Sequence, residues 1–155
     1  MTEQEICEQF LKAMQRMGRV GDSLFSEKLT HNEFVALCIL SEAQKREKQE
    51  EKGIYVSMLV SGMQSSAPAV SRLLRTMEEE ELIERRVDRK DRRNTFVSIT
   101  EKGQKTLQEK FDWMGTIFMN AVHKIGADKM EAMLALLEDF ASGMEERIKE
   151  MKQHV

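Results

Sequence analysis

Apolar residues recur at three- and four-residue steps along most of the chain, a spacing that places them on one face of a helix. The first such stripe covers residues 6–25 and follows Thr2 and Glu5, which have the spacing of a helix-capping box. Thr30 and Glu33 repeat that spacing and predict a second helix beginning near residue 31.

Two further apolar stripes occupy the C-terminal part of the chain, over residues 107–125 and 130–151, with Gly126 as the predicted stop between them. Together with the first helix they carry more apolar side chains than a small lobe could cover. We therefore expect a second copy of the same chain to cover them.

The middle of the chain has the pattern of two short helices joined by a tight turn. Residues 54–56 predict a short strand, and Ser57 is a candidate cap for a helix over residues 58–63. Ser66 can cap the next helix, where Pro68 falls in the first turn and its missing N–H costs little. This arrangement predicts a helix-turn-helix.

The second of these helices separates apolar from polar positions. Residues 70, 73, 74 and 77 face inward by their spacing, whereas Ser71, Arg72 and Arg75 lie on the other side. Small and basic residues on the outer, N-terminal part of such a helix are typical of contacts to nucleic acid.

A β-hairpin with a basic tip follows this helix. Residues 83–87 and 95–99 are short β-prone runs, and the loop between them is polar and basic. Residues 85–93 contain six basic and two acidic side chains, a net charge of +4 in a chain whose overall charge is -3. Positive charge concentrated at one loop of an acidic protein favours contact with phosphate.

Composition narrows the class of protein further. The 155 residues fit one domain, and the single proline and eight glycines favour long helices. The chain shows neither a run of about 18 apolar residues nor a signal peptide, so a cytoplasmic protein without membrane contact is expected. Two cysteines and three scattered histidines show no ligand spacing, so no metal or other cofactor is predicted. No set of nucleophile, base and acid suggests an enzyme.

The order helix, helix, helix-turn-helix, hairpin and two long helices resembles the MarR family of bacterial transcription regulators. The resemblance covers the whole chain. Its most specific parts are residues 68–75, residues 82–85, and Asp91-Arg92-Arg93 placed before residues 97–100.

The resemblance implies a mainly α fold with a β-hairpin wing, in a single domain over residues 1–155. Residues 30–100 would form the winged helix-turn-helix lobe, and residues 1–29 and 101–155 the dimerisation helices. It implies a homodimer on a pseudo-palindromic DNA operator, with helix 67–79 in the major groove. Arg93 would enter the minor groove, oriented by Asp91. Such proteins usually repress genes and often leave DNA when a small aromatic or phenolic effector binds.

The candidate site residues follow from these patterns and from the resemblance. The predicted nucleic-acid contacts are Ser65, Ser66, Pro68, Ser71, Arg72, Arg75, Arg89, Lys90, Asp91, Arg92 and Arg93. The predicted effector contacts are Met14, Met17, Phe34, Cys38 and Met63.

Alternatives stay open for several of these residues. Arg72 and Arg75 could instead pair with glutamates one helical turn further on, and the five effector candidates could be ordinary core residues. Cys7 lies in the first helix, where one branch of the family senses peroxide, although its acidic neighbours disfavour a reactive thiolate.

The chain could also be a winged-helix module that binds protein rather than DNA, because four glutamates (residues 78–81) lie beside the reading helix. One of them, Glu81, stands where relatives commonly have glycine. It must therefore adopt a left-handed helix cap or avoid that conformation.

Overall fold

The computed structural model describes residues 1–25, 29–46, 53–88, 91 and 94–153. Six helices and three short strands occur in these ranges. They are, in chain order, α1 (Glu3–Ser23), α2 (His31–Arg46), β1 (Ile54–Tyr55), α3 (Val56–Gly62), α4 (Ala67–Glu79), β2 (Ile83–Val87), β3 (Thr95–Ile99), α5 (Glu101–Ile125) and α6 (Ala127–Gln153). The predicted mainly α fold with a β-hairpin is confirmed.

The first two helices begin with the capping boxes that the sequence predicts. The backbone N–H of Thr2 donates to the Glu5 carboxylate at 2.7 Å, and the Glu5 N–H donates to the Thr2 hydroxyl at 3.2 Å. Thr30 and Glu33 make the same exchange, at 2.8 and 3.4 Å. Each box satisfies N–H groups that a helix start would otherwise leave without partners.

The short helix before the turn begins earlier than predicted. α3 starts at Val56, so the expectations that Ser57 caps the helix and that Val56 belongs to a strand were wrong. The N-cap is Tyr55, whose extended backbone (φ -65°, ψ 143°) makes no side-chain cap bond. Tyr55 also pairs with Phe96 in the sheet, so the chain passes from strand to helix with no linking residue.

The sheet has the strand order β1-β3-β2 and is antiparallel throughout. The hairpin strands β2 and β3 have the predicted bounds, with Ile83 opposite Ile99 and Val87 opposite Thr95. Gly53 precedes β1 at φ +136°, and a Cβ there would lie 2.7 Å from the carbonyl oxygen of Val97. Only glycine allows that approach.

The core lies between α2, the helix-turn-helix and the sheet. Ala36, Leu37 and Leu40 of α2 are 0 to 2 % exposed, whereas the helical spacing of the sequence predicts an apolar face of Phe34, Leu37, Cys38 and Ser41. The other buried apolar residues are Leu29, Ile54, Leu59, Val70, Leu74, Met77, Leu82, Ile83, Val97, Ile99 and Leu107. This core holds α4 and the hairpin on one scaffold.

The turn between α4 and β2 packs closely against the start of α5. Glu81 has φ +60°, so it adopts the left-handed conformation that favours glycine. The Thr100 hydroxyl donates to the Glu81 carbonyl at 2.7 Å, and the Lys102 ammonium lies 3.1 Å from the Glu81 carboxylate. A Cβ on Gly103 would collide with the carbonyl oxygen of Leu82, so the start of α5 packs directly against this turn.

The chain divides into two compact units, residues 1–111 and residues 112–155, with the division inside α5. In the first unit, the Phe25 ring after α1 lies 4.9 Å from the His31 ring and 5.5 Å from the Phe34 ring. The Lys110 ammonium lies over Phe25, 5.1 Å from the ring centroid. The second unit consists of the end of α5 and α6, separated by Gly126 at φ +90°.

Within the described ranges, no helix combines the length and the apolar character that crossing a membrane would require.

Candidate nucleic-acid interface

The helix-turn-helix presents a polar surface because its apolar residues are used in the core. Val70, Leu74 and Met77 are the buried residues of α4, whereas Ser71 and Arg72 are exposed. The turn is made by residues 63–66, with Gln64 at φ +50°. It directs the N-terminus of α4 outward, as the sequence predicted.

Three predicted contact residues lie at that outward end. Ser65, Ser66 and Pro68 are all exposed. The Ser66 hydroxyl accepts the N–H of Ala69 at 3.4 Å, so Ser66 is the N-cap of α4. Pro68 lies in the first helical turn, where no N–H is needed. The cap role of Ser66 leaves its hydroxyl at the surface.

Arg75 is a predicted contact residue that forms an ion pair within α4 in the structure. Its Nε atom lies 3.9 Å from the Glu79 carboxylate, and the two side chains are 79 % and 71 % exposed. A pair so exposed contributes little to stability. Arg75 can therefore exchange Glu79 for a phosphate with little loss, and the sequence-based alternative of an intrahelical ion pair describes the resting arrangement.

The glutamates at the end of α4 also have cationic partners. Arg85 of β2 donates to the Glu78 carboxylate from both Nε, at 2.8 Å, and Nη2. The hydrogen bond from Arg85 lowers the pKa of Glu78. Glu79 pairs with Arg75 and Glu81 pairs with Lys102. Three of the four acidic charges at the end of α4 are therefore each offset by a neighbouring cation.

The wing begins where β2 and β3 separate. The Asp88 N–H donates to the Asn94 carbonyl at 3.0 Å, and the Asn94 N–H donates to the Asp91 carbonyl at 2.9 Å. The Asn94 side chain also reaches the Asp91 carboxylate, at 3.3 Å. These bonds close the hairpin and give the loop a fixed base.

Four of the predicted contacts, Arg89, Lys90, Arg92 and Arg93, lie outside the described residues. Asp91 is described and exposed, but its predicted role is to orient Arg93. The roles of these five residues therefore stay predictions.

Tyr55 lies beside the end of the hairpin and was not among the residues predicted from the sequence. Its hydroxyl donates to the Asp88 carboxylate at 2.9 Å, and its ring stacks on Phe96 with the centroids 4.1 Å apart. Beside it, between α3, α4 and the hairpin, lies a cavity of about 300 Å³. The residues that line this cavity are Tyr55, Val56, Ser57, Ser71, Leu74, Arg85, Asn94 and Thr95. A single tyrosine in a short strand does not indicate, from the sequence alone, that it contacts a distant aspartate or lines a cavity.

The structure separates the predicted effector residues into two groups. Met14 and Met17 are 54 % and 66 % exposed on α1. Phe34, Cys38 and Met63 are partly buried against the core. Their role as a common effector site stays a prediction.

A second cavity, of about 380 Å³, lies between α2 and α5. It is lined by Ser41, Gln44, Lys45, Gln104, Leu107, Gln108 and Phe111. The Gln104 amide donates to the Gln44 side chain at 2.6 Å across it. The Phe111 ring lies 5.2 Å from that of Phe34, which connects this cavity with one predicted effector residue.

The cysteines are both free, with Cys7 exposed on α1 and Cys38 half-buried on α2. Burial raises the pKa of the Cys38 thiol, which suits a core position better than a reactive one. In the part of the chain that the structure describes, no group of three His, Cys, Asp or Glu side chains is placed to hold a metal ion.

A helix-turn-helix followed directly by an antiparallel hairpin, on one core, defines a winged-helix protein. The model of the MarR family matches residues 29–95, which contain the helix-turn-helix and most of the wing. The family resemblance and fold class predicted from the sequence are therefore confirmed. Members of that family are transcription regulators rather than enzymes.

Solved structures of MarR-type regulators share this fold. MepR, a transcription regulator of the Staphylococcus aureus multidrug efflux pump MepA, is 22% identical, with 93% of this chain and 99% of MepR covered at a TM-score of 0.72. The PcaV transcriptional regulator from Streptomyces coelicolor is 14% identical, with 86% and 96% covered and a TM-score of 0.72. A complex of S. aureus MepR with DNA is 24% identical, with 88% and 96% covered and a TM-score of 0.61. No curated protein sequence matched the chain.

Proposed function

We propose that this protein is a homodimeric, sequence-specific DNA-binding transcription regulator, a repressor that a small molecule releases from DNA. The observation that carries the proposal is the exposed polar face of α4, with Ser71 and Arg72, on the same core as a hairpin of strongly basic sequence. The MarR family match and the DNA complex of MepR support the same function.

Two kinds of contact would share the binding. Arg72, in the N-terminal half of α4, would read base edges in the major groove, and Arg93 of the wing loop would enter the minor groove. Ser65, Ser66, Ser71 and Arg75 would contact phosphates and fix the register of the helix on the duplex. Arg89, Lys90 and Arg92 would add attraction that does not depend on sequence.

DNA binding can be tested without knowledge of the operator. The protein would select duplexes from a random pool, and the affinity for the selected duplex would be measured over a range of salt concentrations. We expect a pseudo-palindromic sequence and an affinity that falls steeply with salt, because bound cations are released from phosphates. A chain that binds no duplex even at low salt would instead be the protein-binding module.

The contribution of the wing has a matched control. We expect Arg93→Ala to weaken specific binding by about 1–3 kcal/mol. Arg147→Ala removes the same charge from α6, where the Arg147 side chain is 73% exposed and pairs with Glu150. It should leave binding nearly unchanged. Equal losses in the two variants would show a general charge effect and remove the wing from the proposal.

The homodimer is supported by the apolar surfaces of the long helices. Neither α1 nor α6 buries any residue within the single chain. On α6, Leu137, Met144 and Ile148 are 46–49 % exposed and recur at helical spacing. A second copy would cover such stripes and place two recognition helices about 34 Å apart, one turn of the DNA helix. The ranges 1–29 and 101–155 are thus proposed as dimerisation helices.

Sedimentation measures this association directly. The wild-type chain should sediment as a dimer at micromolar concentration. Leu137→Glu places a charge on the α6 stripe and should yield monomers, whereas Glu138→Gln changes the neighbouring exposed position and should not. A monomeric wild-type chain would contradict the proposal.

The effector is proposed to be a small aromatic or phenolic compound. The α2–α5 cavity offers one aromatic wall (Phe111), one cation (Lys45) and amide groups (Gln44 and Gln104). Such a mixture suits a compound with an apolar ring and a polar or anionic substituent. Its contact with Phe34 links it to the residues predicted from the sequence.

Benzoate and phenol are suitable probes for this site. Titration calorimetry would measure their binding, and fluorescence anisotropy would measure the release of the selected duplex. We expect Lys45→Met to weaken benzoate more than phenol, because only benzoate carries a charge that Lys45 can neutralise. Equal binding of benzoate to both proteins would exclude this cavity as its site.

A further inference from the structure

The hydroxyl group of Tyr55 connects the helix-turn-helix with the wing. Tyr55 is the N-cap residue of α3, the first helix of the helix-turn-helix. Its hydroxyl donates to the carboxylate of Asp88, the residue that follows β2, at 2.9 Å. The two residues are 33 positions apart in the sequence, and the bond is partly buried.

The phenol ring is held in place independently of this bond. Tyr55 is the cross-strand partner of Phe96, and the two rings stack with an interplanar angle of 30°. The rigid ring therefore presents its hydroxyl at one fixed place, beside the end of the hairpin. A hydrogen bond to a charged carboxylate is among the stronger ones that a protein makes.

Asp88 links this bond to the wing, because it lies directly after β2, where the wing loop begins. Its N–H makes the cross-strand bond to Asn94, beyond the last register pair of β2 and β3 (Val87 and Thr95). The hairpin continues past β1, because Ile54 and Tyr55 of β1 pair only with Val97 and Phe96 of β3. A two-stranded ribbon is marginally stable in water, so the end of this hairpin depends on contacts such as the bond to Tyr55.

We propose that Tyr55 is a positioning residue for DNA binding: its hydroxyl, through Asp88, fixes the end of the hairpin (Asp88 and Asn94) relative to the recognition helix α4. This inference rests on the proposed function and names a determinant of it. Without the bond, the end of the hairpin at Asp88 and Asn94 opens more often, and binding a duplex must also order it. Affinity then falls although no DNA contact has been removed.

The matched variants are Tyr55→Phe and Ser98→Ala. Tyr55→Phe removes the hydroxyl and keeps the ring on Phe96. Ser98→Ala removes a hydroxyl from the same hairpin, where it donates to Glu84 at 3.1 Å, and leaves the wing base intact. We expect Tyr55→Phe to reduce affinity for the selected duplex about tenfold, the size of one charge-assisted hydrogen bond. Ser98→Ala should have no such effect.

A double-mutant cycle separates positioning from general stability. If Tyr55 acts through the wing, Tyr55→Phe should cost clearly less in a chain that already carries Arg93→Ala, because one of the contacts that it positions is then absent. Losses that simply add in the double variant would overturn the proposal, because the hydroxyl would then act independently of the wing.

Two measurements without DNA test the hydrogen bond between Tyr55 and Asp88, here called the clasp. Amide hydrogen exchange should accelerate at Asp88 and Asn94 in Tyr55→Phe but not in α2. Tyr55 is the only tyrosine in the chain, so the tyrosine Raman doublet reports whether its hydroxyl donates a hydrogen bond, and Asp88→Ala should change the intensity ratio. Unchanged exchange and an unchanged doublet would overturn the proposal even if the wild-type protein binds DNA. A wild-type chain that binds no duplex would refute the proposed function, while the same two measurements would still decide whether the clasp orders the wing.

Discussion

Replacing Glu81 by glycine should stabilise the protein, against the usual effect of glycine. Glu81 has φ +60°, a conformation that costs an L-residue about 1–2 kcal/mol. Glycine avoids that cost but loses about 0.5–1 kcal/mol more conformational freedom on folding than alanine does. The difference leaves a net gain of about 0.5–1 kcal/mol, provided that the bond from Thr100 to the residue-81 carbonyl remains, as a backbone contact should.

The Glu81→Ala variant isolates the backbone effect. Both Glu81→Gly and Glu81→Ala lose the exposed ion pair with Lys102, but only glycine relieves the left-handed strain. The free energy of unfolding, measured by urea denaturation at one protein concentration, should be about 0.5–1 kcal/mol higher for glycine than for alanine. In a thermal scan this corresponds to roughly 1–4 °C in Tm.

The neighbouring Glu80 supplies a control of opposite sign. It has φ -84° and ψ 1°, which any residue adopts, so glycine there should be less stable than alanine by about 0.5–1 kcal/mol. Equal effects of glycine at residues 80 and 81, or a less stable Glu81→Gly than Glu81→Ala, would refute the reasoning.

Three further outcomes are expected. Gly103→Ala should lower the free energy of unfolding by about 1–3 kcal/mol or prevent folding, because its Cβ would collide with a backbone carbonyl, and circular dichroism would show this. Because Arg85 lowers the folded-state pKa of Glu78, this pair adds stability above the unfolded-state pKa that is lost as pH falls through the lower, folded value. Glu78→Gln should therefore weaken the acid dependence of urea midpoints, by a small amount because the carboxylate is 38% exposed, and an unchanged profile would contradict the assignment. Glu79→Gln should raise DNA affinity slightly, because the exposed pair with Arg75 is weak, whereas a loss of affinity in low salt would show that Glu79 does not compete with phosphate for Arg75.

Much of the fold could be predicted because local signals agreed with the final contacts. Thr2 with Glu5 and Thr30 with Glu33 make the capping boxes that their spacing indicates. Ser66 caps α4, and β2 and β3 have the bounds that their alternating residues suggest. Each of these features is decided by residues within a few positions of one another.

The failures concern contacts between distant residues. Tyr55 leaves the strand directly into α3 because of its partner Phe96, 41 positions away, so the local signal of Ser57 as a cap was misleading. Burial of Ala36 and Leu40 depends on elements packed on two sides of α2, which a single stripe does not reveal. The hydrogen bond between Tyr55 and Asp88 could not be predicted for the same reason, because the two residues are 33 positions apart.

The sheet order β1-β3-β2 leaves the outer edge of β2 without a strand partner in the described chain. Such an edge can act as a template for strands of other molecules, and short length and outward charges are the usual protection. β2 has both, since it spans five residues and exposes Glu84 and Arg86. Edge-to-edge strand pairing of this protein with other molecules through β2 is therefore disfavoured, even in concentrated solution.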